Sequence, residues 1–146
     1  MQLSIHFALN EFVDSETATG QGIDNTPSAE IIANLTTTAH GLELVRSLLG
    51  FPLHINSGYR CPALNKAVKG VWNSAHLTGF AADIKCPEFG TPLQIVEMIV
   101  KSGIKFDQCI MEGTWVHISF DPAMRQETLT ASFDAHGDAT YTHGVA

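Results

Sequence analysis

The order of elements along this chain predicts a fold of the α+β class. Three observations predict it: two capped amphipathic helices at residues 27–49 and 92–102, four short apolar or alternating strands, and a tight turn that sets the last two strands antiparallel. At 146 residues and 45% apolar, the chain has enough apolar content to bury a core of its own, so it reads as a single domain spanning residues 1–146. The core of that domain runs from about residue 7 to 125, and residues 126–146 read as a C-terminal extension or tail.

Residues 1–24 are polar with scattered aromatics, Phe7 and Phe12, and read as an irregular arm packed on the domain. Asn25-Thr26-Pro27 opens the first helix, with Thr26 as N-cap and Pro27 at the first helical position. Ile31, Leu35, Ala39, Leu42, Val45 and Leu49 recur every three or four residues, so one face is buried, and Gly50 and Pro52 stop the helix. Residues 53–57 alternate as a strand and lead into the turn-rich Gly58-Tyr59-Arg60-Cys61-Pro62. Residues 80–85 read as a short buried strand. Thr91-Pro92 caps the second helix, whose apolar side is Leu93, Val96, Ile99 and Val100, and Gly103 ends it.

Strands at 108–112 and 115–120 flank Gly113-Thr114, a two-residue hairpin. Across it Glu112 opposes Trp115, Ile110 opposes His117 and Gln108 opposes Ser119, which puts these six on one face. Cys109, Met111, Val116, Ile118 and Phe120 form the other, core face. Beyond Arg125 the periodicity fades, leaving at most an edge strand near 130–133 and a loose end about His143.

Ser74-Ala-His76-Leu-Thr-Gly79-Phe-Ala-Ala-Asp83 and Trp115-Val-His117 carry the chemistry. Two imidazoles and a carboxylate, with no thiolate among them, are a typical donor set for a catalytic zinc ion whose fourth position stays open for water. A lone histidine is more often a polar residue satisfied by the backbone. Here Asp83 interrupts an apolar run, and a buried carboxylate is costly unless it is paired or bound to a metal. Glu112 is the leading candidate base because the hairpin places it beside His117, with a solvated tip as the alternative; Asp107 is the second candidate. Arg60 is either a cation for the substrate or a surface ion pair. Ser74 and Gln108 are candidates to orient ligands or substrate, and Trp72 and Trp115 either line a groove or pack in the core. His6, His40, His54, His136 and His143 lack such partners and read as structural or surface residues.

Other classes are poorly served. The net charge is −7 and Lys plus Arg total 8 without a basic run, which excludes a nucleic-acid footprint. No stretch approaches the roughly 20 apolar residues of a membrane span. The first residues carry neither a basic nor an apolar leader, so the expectation is synthesis in the cytoplasm, with any export by another route. Cys61, Cys86 and Cys109 show no metal-binding spacing and read as unreactive. The sequence does not determine the oligomeric state.

Ser57-Gly-Tyr-Arg60, Ser74-x-His76-x-x-Gly79-x-Ala81-x-Asp83, Phe106-Asp-Gln108 and Trp115-Val-His117 together resemble the D-alanyl-D-alanine carboxypeptidase family of zinc peptidases. The resemblance runs from about residue 7 to 120 and is nearest to small phage or prophage members. It implies a small antiparallel sheet with helices packed on one face, as in the hedgehog signalling domain. It implies one zinc ion held by His76, Asp83 and His117, with catalytic roles for Glu112 and Arg60. Substrate contacts are expected from Tyr59, Ser74, Gln108 and Trp115. The substrate would be a peptidoglycan stem peptide, cut as a D-Ala-D-Ala carboxypeptidase or an L-Ala-D-Glu endopeptidase, at the cell wall or from a phage particle. Many relatives place an acid three residues before the last histidine, where this chain has Thr114, so Glu112 would take that role. The alternative is a peptidoglycan-binding virion or tail component that keeps zinc as a fold staple; a hedgehog-type regulatory domain fits less well.

Overall fold

The computed structural model describes residues 1–145. The chain runs α1 (Leu9–Val13), α2 (Glu16–Gln21), α3 (Ala29–Leu49), β1 (His54–Ser57), α4 (Pro62–Ala67), a 3₁₀ turn (Ala75–Thr78), β2 (Ala81–Lys85), α5 (Pro92–Ser102), β3 (Gln108–Glu112), β4 (Trp115–Ser119), β5 (Glu127–Phe133) and β6 (Ala139–His143). The strands form one sheet in the order β1-β2-β4-β3-β5-β6. Every pair is antiparallel except β3 with β5. The class is α+β, as the sequence predicts.

One face of the sheet is the core. Leu35, Ala39, Leu42 and Val45 of α3 and Ile95, Val96 and Ile99 of α5 are buried with Ala82, Ile84, Cys109, Val116 and Ile118 of the strands. Each of the Leu, Ile and Val side chains among them contributes about 1.5–3 kcal/mol by leaving water. Because strand side chains alternate, burying Ala82, Ile84, Val116 and Ile118 on this face sends Asp83 and His117 to the other. The hairpin has the predicted register, with Glu112 opposite Trp115 and Ile110 opposite His117, and Gly113 takes the φ of 76° that the turn requires.

Several elements differ from expectation. The first helix is capped by Ser28, whose Oγ accepts from the Ile31 amide, because Asp24 Oδ1 accepts from both the amide and the hydroxyl of Thr26 and holds that residue outside the helix. On α5, Ile95 is buried with Val96 and Ile99, whereas Val100 is 45% exposed. The N-terminal arm contains α1 and α2, and its Phe7 and Phe12 enter the core edge to face with centroids 6.2 Å apart. Pro62, read as the end of the turn-rich connection, instead opens a helix, α4, over residues 62–67. The C-terminal segment, expected as a tail with one short edge strand, forms two paired strands that enlarge the sheet.

Candidate active site

Asp83 and His117 are direct Cα partners in the β2–β4 ladder, and Ser57 of β1 pairs with Asp83 on its other side. His76 arrives from the 3₁₀ turn between α4 and β2, whose cap is Ser74: its Oγ accepts from the His76 amide at 3.2 Å. The three side chains converge. His76 Nε2 lies 3.2 Å and His117 Nδ1 3.1 Å from the same oxygen, Asp83 Oδ1, and the imidazole centroids are 5.0 Å apart. All three residues are buried, and their ligand atoms lie within 4.8 Å of one another.

The protonation pattern tests whether this donor set suits a metal. His76 Nδ1 donates to the Gly58 carbonyl at 2.6 Å. Burial lowers the His76 pKa, outweighing the pull of Asp83, so the ring is neutral with its proton on Nδ1. Its Nε2 lone pair then faces a carboxylate oxygen, two acceptors with no hydrogen between them, and such a contact calls for a cation. Asp83 stays ionised: burial alone would raise its pKa, but the hydrogen bond from His117 and the positive charge that ring carries hold it far below the usual range. Burial would lower the His117 pKa, and its hydrogen bond to Asp83 reverses the direction. A proton on His117, or a metal ion bound by all three residues, balances the carboxylate. Among the described residues no fourth His, Cys, Asp or Glu joins the group, so one position of a tetrahedral ion would be left to water or substrate.

Arg60 lies beside this group. Its Nη2 donates to Asp83 Oδ2 at 3.3 Å, Nε to Ser57 Oγ at 3.1 Å and Nη1 to Asn65 Oδ1 at 3.3 Å. It therefore fixes the second oxygen of Asp83, and two of its five N–H bonds are left over. Arg60 and Ser57 also line a cleft of about 870 Å³ between α2 and α4. Glu112 is half-buried on the face carrying His117. Burial raises its pKa against the opposing pull of His117. The Trp115 indole lowers that value somewhat, yet its Nε1 is buried without a hydrogen-bond partner among the described residues. The N–H thus lies near the Glu112 carboxylate without a bond of good geometry.

Of the remaining candidates, Gln108, Tyr59 and Asp107 are already engaged in the structure. Gln108 donates through Nε2 to Glu127 Oε1 of β5 at 2.6 Å. Tyr59 packs partly on the core, and its backbone is bonded to Phe12 and Asn25. Trp72 is 86% exposed. Asp107 is closed to proton transfer by Arg125: Oδ1 accepts from the Arg125 amide and Nε, and Oδ2 from Nη2, at 2.9–3.0 Å.

These Arg125 bonds tie the loop before β5 to the start of β3, and they hold the Asp107 carboxyl below the usual range despite its burial. The unfolded chain binds that proton more readily, so the contribution is full above about pH 4 and is lost as pH falls through the lowered value. Asp107→Asn is expected to cost about 1–2 kcal/mol at pH 7, because Arg125 is half exposed. In urea melts the gap from the unsubstituted protein should narrow as the pH falls below about 4.

Sequence reasoning assigned no supporting role at the site to Asn25, Gly58 or Asn65. Asn25 accepts from the Cys61 amide and donates to the carbonyls of Val13 and Tyr59, clamping the arm to the Ser57–Arg60 turn. Buried Asn65 anchors both Arg60 and the Val71 carbonyl. Gly58 is needed for close approach, because a Cβ there would lie 2.6 Å from the Phe12 carbonyl oxygen and 2.7 Å from its Cα. Gly58→Ala should therefore displace the carbonyl that orients His76. The expected result is a loss of about 1–3 kcal/mol in stability and a 10–100-fold weaker zinc affinity, measured by chelator competition.

A rigid sheet face carrying a three-residue N/O metal group, with a carboxylate and an arginine beside it, defines the class of metal-dependent hydrolases. The peptidase M15 family model matches residues 5–119. This chain belongs to the peptidase M15 family, a family of zinc-dependent metallopeptidases, and His76, Asp83 and His117 form a group able to bind its one zinc ion. No curated protein matches the chain. No helix among the described residues is long and apolar enough to cross a membrane.

Proposed function

We propose that this chain is a zinc peptidase of peptidoglycan stem peptides, acting as a D-Ala-D-Ala carboxypeptidase or an L-Ala-D-Glu endopeptidase at the cell wall, and of phage or prophage origin. Residues 1–146 form one peptidase domain on this reading, with 126–146 as its extension. The carrying observation is the buried His76–Asp83–His117 group, which has no fourth protein ligand among the described residues and whose His117 shares its sheet face with Glu112. A structural zinc usually has four protein ligands, so this set favours catalysis over a binding protein that keeps zinc as a staple.

Zinc held by these residues would supply a Lewis acid at the scissile carbonyl and lower the pKa of water. Glu112 takes the proton of the attacking water and returns it to the leaving amine. Its partial burial on the face that carries His117 supports that role. Arg60 holds Asp83 in place, and its two remaining N–H bonds serve the developing oxyanion. Gly58 and Ser74 act through His76, the first by fixing its tautomer and the second by capping its turn. Trp115, Tyr59 and Gln108 border the substrate.

Zinc-loaded protein incubated with purified sacculi tests the reading. Release of D-alanine marks the carboxypeptidase, and new D-glutamyl amino termini mark the endopeptidase. Intact stem peptides after prolonged incubation would contradict both.

A further inference from the structure

The family match ends at residue 119, but the sheet continues through β5 and β6. These strands add a second half to the site face. Ile110 pairs with Leu129 and Met111 with Thr130, so Glu112 stands level with Ala131, which in turn pairs with Tyr141. Trp115, Glu112, Ala131 and Tyr141 thus form one row across four strands. With strands about 4.8 Å apart, Tyr141 starts about 10 Å from Glu112, within reach of its phenol.

Two features mark this row as a binding surface. Ile110, Leu129 and Ala131 make a closed apolar floor, while Phe133 and Tyr141 stand over it 47% and 41% exposed. Phe133 is tilted against Trp115 with ring centroids 6.2 Å apart. The buried Trp115 Nε1 also lacks a partner among the described residues, and an orphaned donor beside open aromatic surface suits an acceptor brought in by a ligand. Burial and the nearby Glu112 and Asp83 charges raise the Tyr141 pKa, so its hydroxyl is a donor at neutral pH.

We propose that Trp115, Phe133 and Tyr141 form an aromatic subsite that holds the peptide substrate beside Glu112, with Tyr141, from the strands beyond the family match, as a substrate-binding residue. The rings pack on a small apolar side chain next to the scissile bond, and the indole N–H and phenol O–H donate to carbonyl or carboxylate oxygens of the peptide. This rests on the peptidase reading above for its substrate class.

The two tryptophans are Trp72 and Trp115, so a Trp72→Phe background leaves Trp115 as sole reporter. The probe is a synthetic stem pentapeptide ending in D-Ala-D-Ala, mixed with zinc-loaded protein in stopped flow before turnover. Trp115 emission is expected to change on binding. Tyr141→Phe should weaken the peptide Kd by about fivefold to tenfold through one lost hydrogen bond, with unaltered zinc content. KM should rise in parallel, with kcat within about twofold of the background protein. Tyr141→Ala should weaken binding further; if it unfolds, Tyr141→Phe decides. Cleavage without a Trp115 response, or the same Kd and KM in Tyr141→Phe, overturns the subsite and leaves the peptidase reading standing. A Trp115 response and a weaker Tyr141→Phe complex without any cleavage supports the subsite and overturns the peptidase reading.

Discussion

Asp83→Ala is expected to abolish stoichiometric zinc binding and, with it, hydrolysis. One oxygen of this carboxylate meets both imidazoles and the other meets Arg60, so no neighbouring group replaces it. The substitution leaves a mostly buried guanidinium without its counter-charge, and removing one partner of a buried charged cluster costs about 3–5 kcal/mol. Metal analysis after dialysis should fall from one zinc per chain to near zero. Added zinc should raise the melting temperature of the unsubstituted protein and leave that of Asp83→Ala unmoved. A variant that keeps its zinc would show that Asp83 is a partner of Arg60 and not a ligand.

Glu112→Gln separates holding the metal from using it. Glu112 lies one strand away from His117, and no described residue donates it a hydrogen bond of good geometry, so the amide should leave fold and zinc content intact. Loss of a general base costs about 10²–10⁴-fold, which should appear in kcat with KM little changed. Activity retained at full zinc loading would remove Glu112 from the mechanism. Asp107, bound by Arg125 through both oxygens, would not inherit the role.

Elements whose signal is local were legible in the sequence. Asp83 stands out because it breaks an apolar strand, and the Gly113-Thr114 turn fixes the register that puts Glu112 and His117 on one face. Other parts depend on partners distant along the chain. The five residues of α1 and six of α2 are too few to show a helical period. β6 is exposed along its whole length, so it has no apolar alternation to read, and β5 is fixed by its pairing with β3 and by the Asp107–Arg125 clamp. The cap of α3 was misplaced because Asn25, Thr26 and Ser28 are all good capping residues. Only the structure shows Asp24 taking Thr26 and the Ser57–Arg60 turn taking Asn25. The support around His76 was hidden for the same reason, since Gly58 reaches it from 18 residues away.

The central claim is that His76, Asp83 and His117 hold one zinc ion and leave a position open. X-ray absorption at the zinc edge tests it most directly. One zinc per chain is expected, with only nitrogen and oxygen neighbours at about 2.0–2.2 Å, two of them imidazoles, and one exchangeable oxygen. A sulfur neighbour near 2.3 Å, a third imidazole, or no bound zinc would contradict it.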